Sequence, residues 1–591
     1  MLPPSSQGFS RQAVAETGSE PAHGRELIDY IPRSQYFDAH GVREAVKMYM
    51  SGNKSELYAR SIRVLLCVTA LTAVIPVQTL IAQAQQNSPS PPTLRITSTL
   101  VFLDVTVLDK KGHPVVTGLT KDDFTITEDK KPQRIFSFES PETHVMGANA
   151  GDDNPDGKAP VTIIVLDLLN SSFEDFAYIR DEVRKFLGTQ PEQLRAPAEL
   201  MVVGNESLEM LQGYTRNKSD LLYALNHLPA ALPYKEMNGA FAWERFAQSI
   251  DALQQIALQN KGVPGRKNIV WVGHGGPGIY VDSIAFSGKV RDELKEYAHE
   301  TTNMLVDARI SLFVIYPGLQ VNGGGMSLSA MESEIDLGDS DPFAGDINFG
   351  VFVNETGGKL FFNRNDVDRL IGRSQRLGSE YYTLTYQPQG GADDGKFRRI
   401  NVTLRDRNLE VVTKAGYFAP DKNAPGNPRQ QTIMNLVEAA RSSIPYSALD
   451  VSLSGVVQHP DTRTAEFTVQ LRLKNLDWLP TEDGRSSANL ILAAVSLAGD
   501  NKVLASRIER VTVWSAVQDP TRKTESVTRL PLTIRIPRKT KSVRVLMESE
   551  KGGRIGAADL DRKTIDAAPA APTPAPQLAP QRQDYLRPGT P

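Results

Sequence analysis

The sequence predicts an α/β protein. A mainly parallel sheet with helices on both faces is expected over residues 161–420, flanked by a small N-terminal β module (95–144) and a C-terminal β-sandwich (445–563). Three observations carry that reading. Apolar runs of strand length recur at Val161–Asp167, Glu199–Gly204, Lys267–Gly273 and Ile310–Tyr316, each bounded by polar residues, as in strands buried on both faces. Stretches with helical spacing of apolar residues separate them, and strands joined in this way build parallel sheets. On either side, short alternating runs are broken by turn residues at close intervals, which is the mark of antiparallel structure.

Taken in order, the β module opens with Leu100–Leu108. There Phe102, Asp104, Thr106 and Leu108 alternate against Leu103, Val105 and Val107. Asp109-Lys-Lys-Gly112 is a turn, and Val115-Val116, Phe124–Thr127 and Arg134–Phe138 complete the run before a linker at 145–160. After Asp167, Ser171-x-x-Glu174 has the spacing of a capping box, so Ser171 is expected to cap the next helix. Phe176, Ile179, Val183, Phe186 and Leu187 then line one helical face. Further helices are expected at Asp220–Leu228, around Phe246–Ala257, at Val290–Ala308 and at 365–378. Tyr381–Tyr386, Arg398–Leu404 and Leu409–Tyr417 are expected to close the α/β region. A linker (421–444) leads to the sandwich, whose strands run from Leu449–Val457 to Ser542–Met547, and residues 564–591 form a Pro/Ala-rich tail with no apolar period.

A chain of 591 residues is long enough for several cores. Its formal net charge of −3 gives no global pull towards nucleic acid or anionic membrane. Arg60-Ser-Ile-Arg63, the apolar run Val64–Ile75 and the small-x-small site Ala82-Gln-Ala84 form a signal peptide over 60–84, cut between Ala84 and Gln85. The run is short for a membrane span of about 20 residues. Residues 1–59 are a polar extension, and Met48 or Met50 would begin a leader of ordinary length, so the expected start lies there. Residues 85–94 are a Pro-rich spacer. Cys67 is the single cysteine and lies in the leader, so the exported protein, periplasmic or extracellular, has neither disulfides nor thiolate chemistry.

Several phrases in order are similar to one known family. They are Asp109-Lys-Lys-Gly-His-Pro-Val-Val-Thr-Gly-Leu-Thr-Lys-Asp-Asp-Phe124, Val165-Leu-Asp-Leu-Leu-Asn170, Gly265-Arg-Lys-Asn-Ile-Val-Trp271, Glu355-Thr-Gly-Gly358 and the Ala-Gly-Tyr-Phe-Ala-Pro ending at Pro420. Over about residues 95–420 the chain resembles the acidobacterial VWFA-related proteins. The resemblance implies a Rossmann-like von Willebrand A-type domain, and with it a metal-ion-dependent adhesion site beginning Asp-x-Ser-x-Ser. Asp167 and Ser171 match that pattern; Leu169 stands at the middle Ser. Thr215 is the nearest hydroxyl for the second loop, and His274 stands where the last Asp belongs. Such a site holds Mg²⁺ or Mn²⁺ with hard oxygen ligands, which Leu169 and His274 do not supply. The expectation is a degenerate site: Asp167, Ser171 and Thr215 are its remaining metal candidates, and Asp167 accepts loop amide hydrogen bonds instead.

Enzyme signatures are weak. Gly273-His-Gly-Gly-Pro-Gly278 has the G-x-G-x-x-G form, but no helix starts at once behind it. His274-Gly-Gly is like the oxyanion loop of a hydrolase, without any G-x-S-x-G elbow. The eight His residues show no zinc-binding spacing. The sequence therefore predicts an exported, non-enzymatic protein-binding or adhesion-type protein, without cofactor or nucleic acid, acting through loops at the carboxyl ends of the parallel strands: 167–173, 204–217, 273–286 and 317–350. The alternatives are Mg²⁺- or Mn²⁺-dependent adhesion through Asp167 and Ser171, a structural envelope component, and a hydrolase at His274.

Overall fold

The computed structural model describes residues 23–27, 100–145, 159–205, 207–228, 241–278, 288–317, 341–345, 347–389, 393–421, 428–481, 484–499, 501–515 and 526–571. Residues 60–84, read above as a leader, with Ala84 and Gln85, the spacer 85–94, most of the 317–350 loop and the end of the tail lie outside these residues. The described residues fall into two units, one within 31–431 and 442–445, the other within 1–30, 432–441 and 446–591. The first strand, β1 (His23–Leu27), belongs to the second of these.

In the first unit, β2 (Val101–Leu108), β3 (Phe124–Glu128), β4 (Lys131–Gln133) and β5 (Ile135–Glu139) precede the α/β region. That region runs β6 (Val161–Asp167), α1 (Phe173–Thr189), β7 (Gln193–Val203), β8 (Leu208–Asn217), α2 (Lys218–Asn226), α3 (Ala242–Asn260) and β9 (Lys267–Val272). It continues with α4 (Gly288–Asp307), β10 (Ile310–Pro317), α5 (Phe349–Glu355), β11 (Lys359–Arg364) and α6 (Val367–Ser379). The strands form one sheet in the order β11-β10-β9-β6-β7-β8. All neighbours are parallel except the edge strand β8, which runs antiparallel to β7.

Burial on both faces explains the apolar runs. Ile164, Leu166, Leu200, Val202, Val270 and Phe313 pack against Phe176, Ile179 and Val183 of α1, Leu221 of α2 and Leu370 of α6. The alternate residues Ile163, Val165, Ile269 and Trp271 are equally buried on the other face. There α3 reaches the sheet, with Gln259 donating to Glu199 of β7 at 3.1 Å. The chain places β6 between β7 and β9, so its first crossover runs one way along the sheet and a later one the other way. The carboxyl ends of β6 and β9 flank this switch point, where open α/β sheets bind ligands.

The next four strands, β12 (Tyr382–Tyr386), β13 (Phe397–Leu404), β14 (Glu410–Val412) and β15 (Gly416–Phe418), correct one expectation. They do not close the α/β sheet. They pair with the N-terminal strands in two four-stranded sheets, β14-β2-β12-β5 and β15-β13-β3-β4. Leu103, Val105, Phe124, Ile126, Tyr382, Leu384, Ile400 and Val402 fill the space between them. The β module is thus a sandwich built from both sides of the α/β region. Alternation in a sequence marks a strand but not its partner, and Thr383 pairs with Asp104, far away in the chain. Buried Arg266 ties sandwich and α/β region together, donating to Thr106 Oγ1 (3.0 Å), Ser311 Oγ (3.0 Å) and the Gly357 carbonyl (3.3 Å).

The helix α7 (Pro428–Arg441) leads into the second unit. Its strands are β16 (Val451–His459), β17 (Thr464–Arg472), β18 (Leu479–Pro480), β19 (Ser486–Leu497), β20 (Val503–Ser515), β21 (Val527–Arg535), β22 (Ser542–Ser549) and β23 (Ile555–Asp561). They form the sheets β1-β20-β19-β22-β23, with β18 on β19, and β16-β17-β21. Phe467, Val469, Leu490, Leu492, Val511, Leu532 and Val545 belong to one core shared by both sheets. The strand β1 comes from the stretch read as a polar extension, and its backbone pairs with β20, His23 opposite Val513.

Candidate functional site

At the end of β6, Asp167 is fully buried and its carboxylate is surrounded by donors. Oδ1 accepts from the Asn170 backbone (2.9 Å) and from Asn170 Nδ2 (3.1 Å). Oδ2 accepts from Trp271 Nε1 (3.0 Å), from the Gly275 backbone (2.8 Å) and from Asn170 Nδ2 (3.2 Å). A carboxylate offers about four lone-pair sites, so these five contacts leave no vacancy. Burial pushes the carboxyl above its usual range, while the Trp271 and Asn170 donors and neighbouring His274 act the other way.

The glycines after β9 follow from this packing. A Cβ on Gly273 (φ +143°) would lie 2.4 Å from Asp167 Cβ, and one on Gly275 (φ +66°) would lie 2.9 Å from the Phe349 ring. The Gly-rich turn therefore lets the chain pass close over Asp167. The described helix nearest behind this turn, α4, begins at Gly288.

His274 donates through Nδ1–H to the Asn170 carbonyl (3.0 Å), and its ring stacks on Tyr316 at 4.2 Å. Its Nε2 is buried without a partner, as are Ser171 Oγ and Asp175 Oδ2. Burial, together with the charges of Asp175 and Asp167, raises the Tyr316 phenol. On the other flank, Asn170 Nδ2 reaches Ser249 Oγ of α3 (3.1 Å), and Gln248 Nε2 holds the Gly204 carbonyl beyond β7 (2.6 Å). Beside these buried groups, Phe173 at the start of α1 is 62% exposed.

The structure brings Asp167, Ser171 and His274 to one end of the sheet but not Thr215. Leu208–Asn217 is strand, not loop, and Thr215 pairs with Ala198, five residues down β7 from Val203, which faces Asp167. At about 3.3 Å per residue this is on the order of 16 Å away. Thr215 instead bonds Asp220 (3.1 Å) and the Asn217 amide (3.0 Å). Ser171 is not the helix cap either: Ser172 holds that place, accepting from the Asp175 amide at 3.1 Å. Leu169 is fully buried. Among the described residues no group of three or more His, Cys, Asp or Glu could hold a metal ion. Sequence reading missed Trp271, whose indole N–H stands against Asp167. No sign of this stood in the sequence, where Trp271 lies in an apolar run; only its pairing opposite Val165 brings it to the face of Asp167.

No protein-family model matches the chain, and no curated protein matches it. Among solved structures, the crystal structure of the SpRpn10 VWA domain matches over 28% of this chain and 77% of that one, at 18% identity and a TM-score of 0.17. That likeness is too slight to argue from.

Proposed function

We propose that the Asp167–His274 end of the sheet is a protein-docking face that works without a bound metal, in a non-enzymatic protein exported to the periplasm or cell exterior. The observation that carries this reading is the saturated Asp167 carboxylate. Protein donors stand where a metal's positive charge would otherwise hold the loops, so the face is rigid in its own right. Phe173 offers it an exposed aromatic anchor, the residue class that dominates interface energetics. Against a hydrolase, His274 stacks on Tyr316 with Nε2 buried, so it is not poised to take a proton from a nucleophile. Export is supported by the charged, apolar and small-residue segments of 60–84. Among the described residues no helix is long and apolar enough to cross a membrane.

The test is to capture partners on the immobilised full chain in EDTA and in Mn²⁺, beside Phe173→Ala. Equal retention in both buffers, weakened at least about 30-fold by the substitution, is expected for an aromatic anchor worth about 2 kcal/mol. Retention only in Mn²⁺ would favour metal-dependent adhesion.

A further inference from the structure

We infer that Glu199 is held in the folded α/β region as a neutral acid, paired with the Gln259 carboxamide, and that loss of its proton loosens α3 from the sheet and disturbs the Asp167 loop.

The geometry starts from two complementary gaps. Glu199 is fully buried in the middle of β7. Its Oε1 accepts from Gln259 Nε2 at 3.1 Å, while Glu199 Oε2 and Gln259 Oε1 both lack a partner. With an ionised carboxylate, both of these oxygens are acceptors and neither can serve the other. A proton on Oε2 supplies the missing donor: O–H to Gln259 Oε1, answered by N–H to Glu199 Oε1. An exchange of the amide's two ends changes which oxygen carries the proton and not the need for one.

The surroundings leave the charge uncompensated. Across β6, Glu199 faces the apolar Ile163. From α3 come the neutral Gln259 and Asn260, and from β8 comes Tyr214, the one titratable group facing it among the described residues. The Tyr214 hydroxyl lies beside the carboxylate and donates to Asn260 Oδ1 at 2.8 Å. Burial pushes the Glu199 carboxyl up to about 8, the Gln259 and Tyr214 hydrogen bonds acting the other way. The folded state therefore keeps a proton that the unfolded chain releases near 4.5. Stability from this site is fully present below that value and is lost as pH rises through about 8.

The link to the docking face is α3. Gln259 lies near its C-terminus, and Gln248 and Ser249 lie ten or eleven residues earlier, on the order of 15 Å along the axis. Those two residues hold the Gly204 carbonyl and Asn170, which in turn bonds Asp167. A shift of α3 away from an ionised Glu199 is transmitted to both loops. Its consequence for partner binding rests on the docking reading above; the acid pair and the loop movement do not.

The experiment uses the full chain and Glu199→Gln between pH 6 and pH 9. Expected are a melting temperature that falls by several degrees more in the parent than in the variant, and deuterium uptake over residues 168–176 that matches in the two chains at pH 6 but is greater in the parent at pH 9. Parallel behaviour of the two chains in either measurement overturns the inference. Should Glu199→Gln not fold, difference infrared spectra of Glu355→Gln with its glutamates labelled by ¹³C at the carboxyl, which separates them from Asp167 and Asp307, decide. A neutral-carboxyl band present at pH 6 and bleached at pH 9 supports the pair, and its absence at pH 6 refutes it. Neither readout involves a partner, so they stand apart from the docking test.

Discussion

Replacing Trp271 by Phe isolates the contact on which the site depends. Phe keeps a ring against Phe349, whose centroid lies 5.0 Å from that of Trp271, but removes the Nε1–H that reaches Asp167 Oδ2 at 3.0 Å. A hydrogen bond to a charged group contributes about 1.5–3 kcal/mol, and its loss here leaves a buried carboxylate short of a donor. Trimming indole to phenyl in a packed core adds about 1 kcal/mol. The sum, about 3 kcal/mol, corresponds to a fall of roughly 6–12 °C in the transition of the first unit. Differential scanning calorimetry of the full chain measures it. Repeating the substitution in an Asp167→Asn background separates the hydrogen bond from the lost packing, and the penalty there should shrink by at least about 1 kcal/mol. A fall below about 1 °C, or the same penalty in both backgrounds, would refute the reasoning.

Three further outcomes follow from the same structure. Leu169→Ser restores the hydroxyl of the adhesion-site pattern, yet Leu169 is fully buried, so melts should show a loss of about 3 kcal/mol and no stabilisation by Mg²⁺. Arg266→Met removes the buried tie among Thr106, Ser311 and Gly357; the expected cost is about 3 kcal/mol, with the sandwich and α/β region of the first unit separating into two calorimetric steps. Burial raises Glu355 to about 7, with Arg399 acting the other way and Asp341 adding to the rise, so its stabilisation is present below about 4.5 and is lost as pH rises through 7. Glu355→Gln should flatten that part of the pH profile of the melting temperature.

The parallel sheet was legible because burial on both faces writes a continuous apolar run, and Val161–Asp167 and Lys267–Val272 are such runs. The partners of Tyr382–Tyr386 were not legible, since its antiparallel neighbour Val101–Val105 lies on the other side of the whole α/β region. Thr215 was read as a loop residue, but it sits in an edge strand whose pairing with β7 is irregular. At the site, the mismatch of Leu169 and His274 with the adhesion pattern was a reading of the sequence alone. The surroundings of Asp167 were hidden: Trp271 stands in an apolar run and reads as core, and only the register between β6 and β9 sets its indole N–H against Asp167.

The most direct test of the proposal that the site works without a metal is a thermal melt of the full chain with EDTA, Mg²⁺ or Mn²⁺, beside Asp167→Ala. A ligand at about 100 times its Kd stabilises the native state by roughly 2.7 kcal/mol, a shift of several degrees. With the Asp167 oxygens occupied by Asn170, Trp271 and Gly275, the expected result is the same melting temperature in all three buffers, and a lower one in Asp167→Ala that is equally indifferent to metal. A rise with Mg²⁺ or Mn²⁺ in the parent chain that disappears in Asp167→Ala would contradict the account and place a metal at the end of β6.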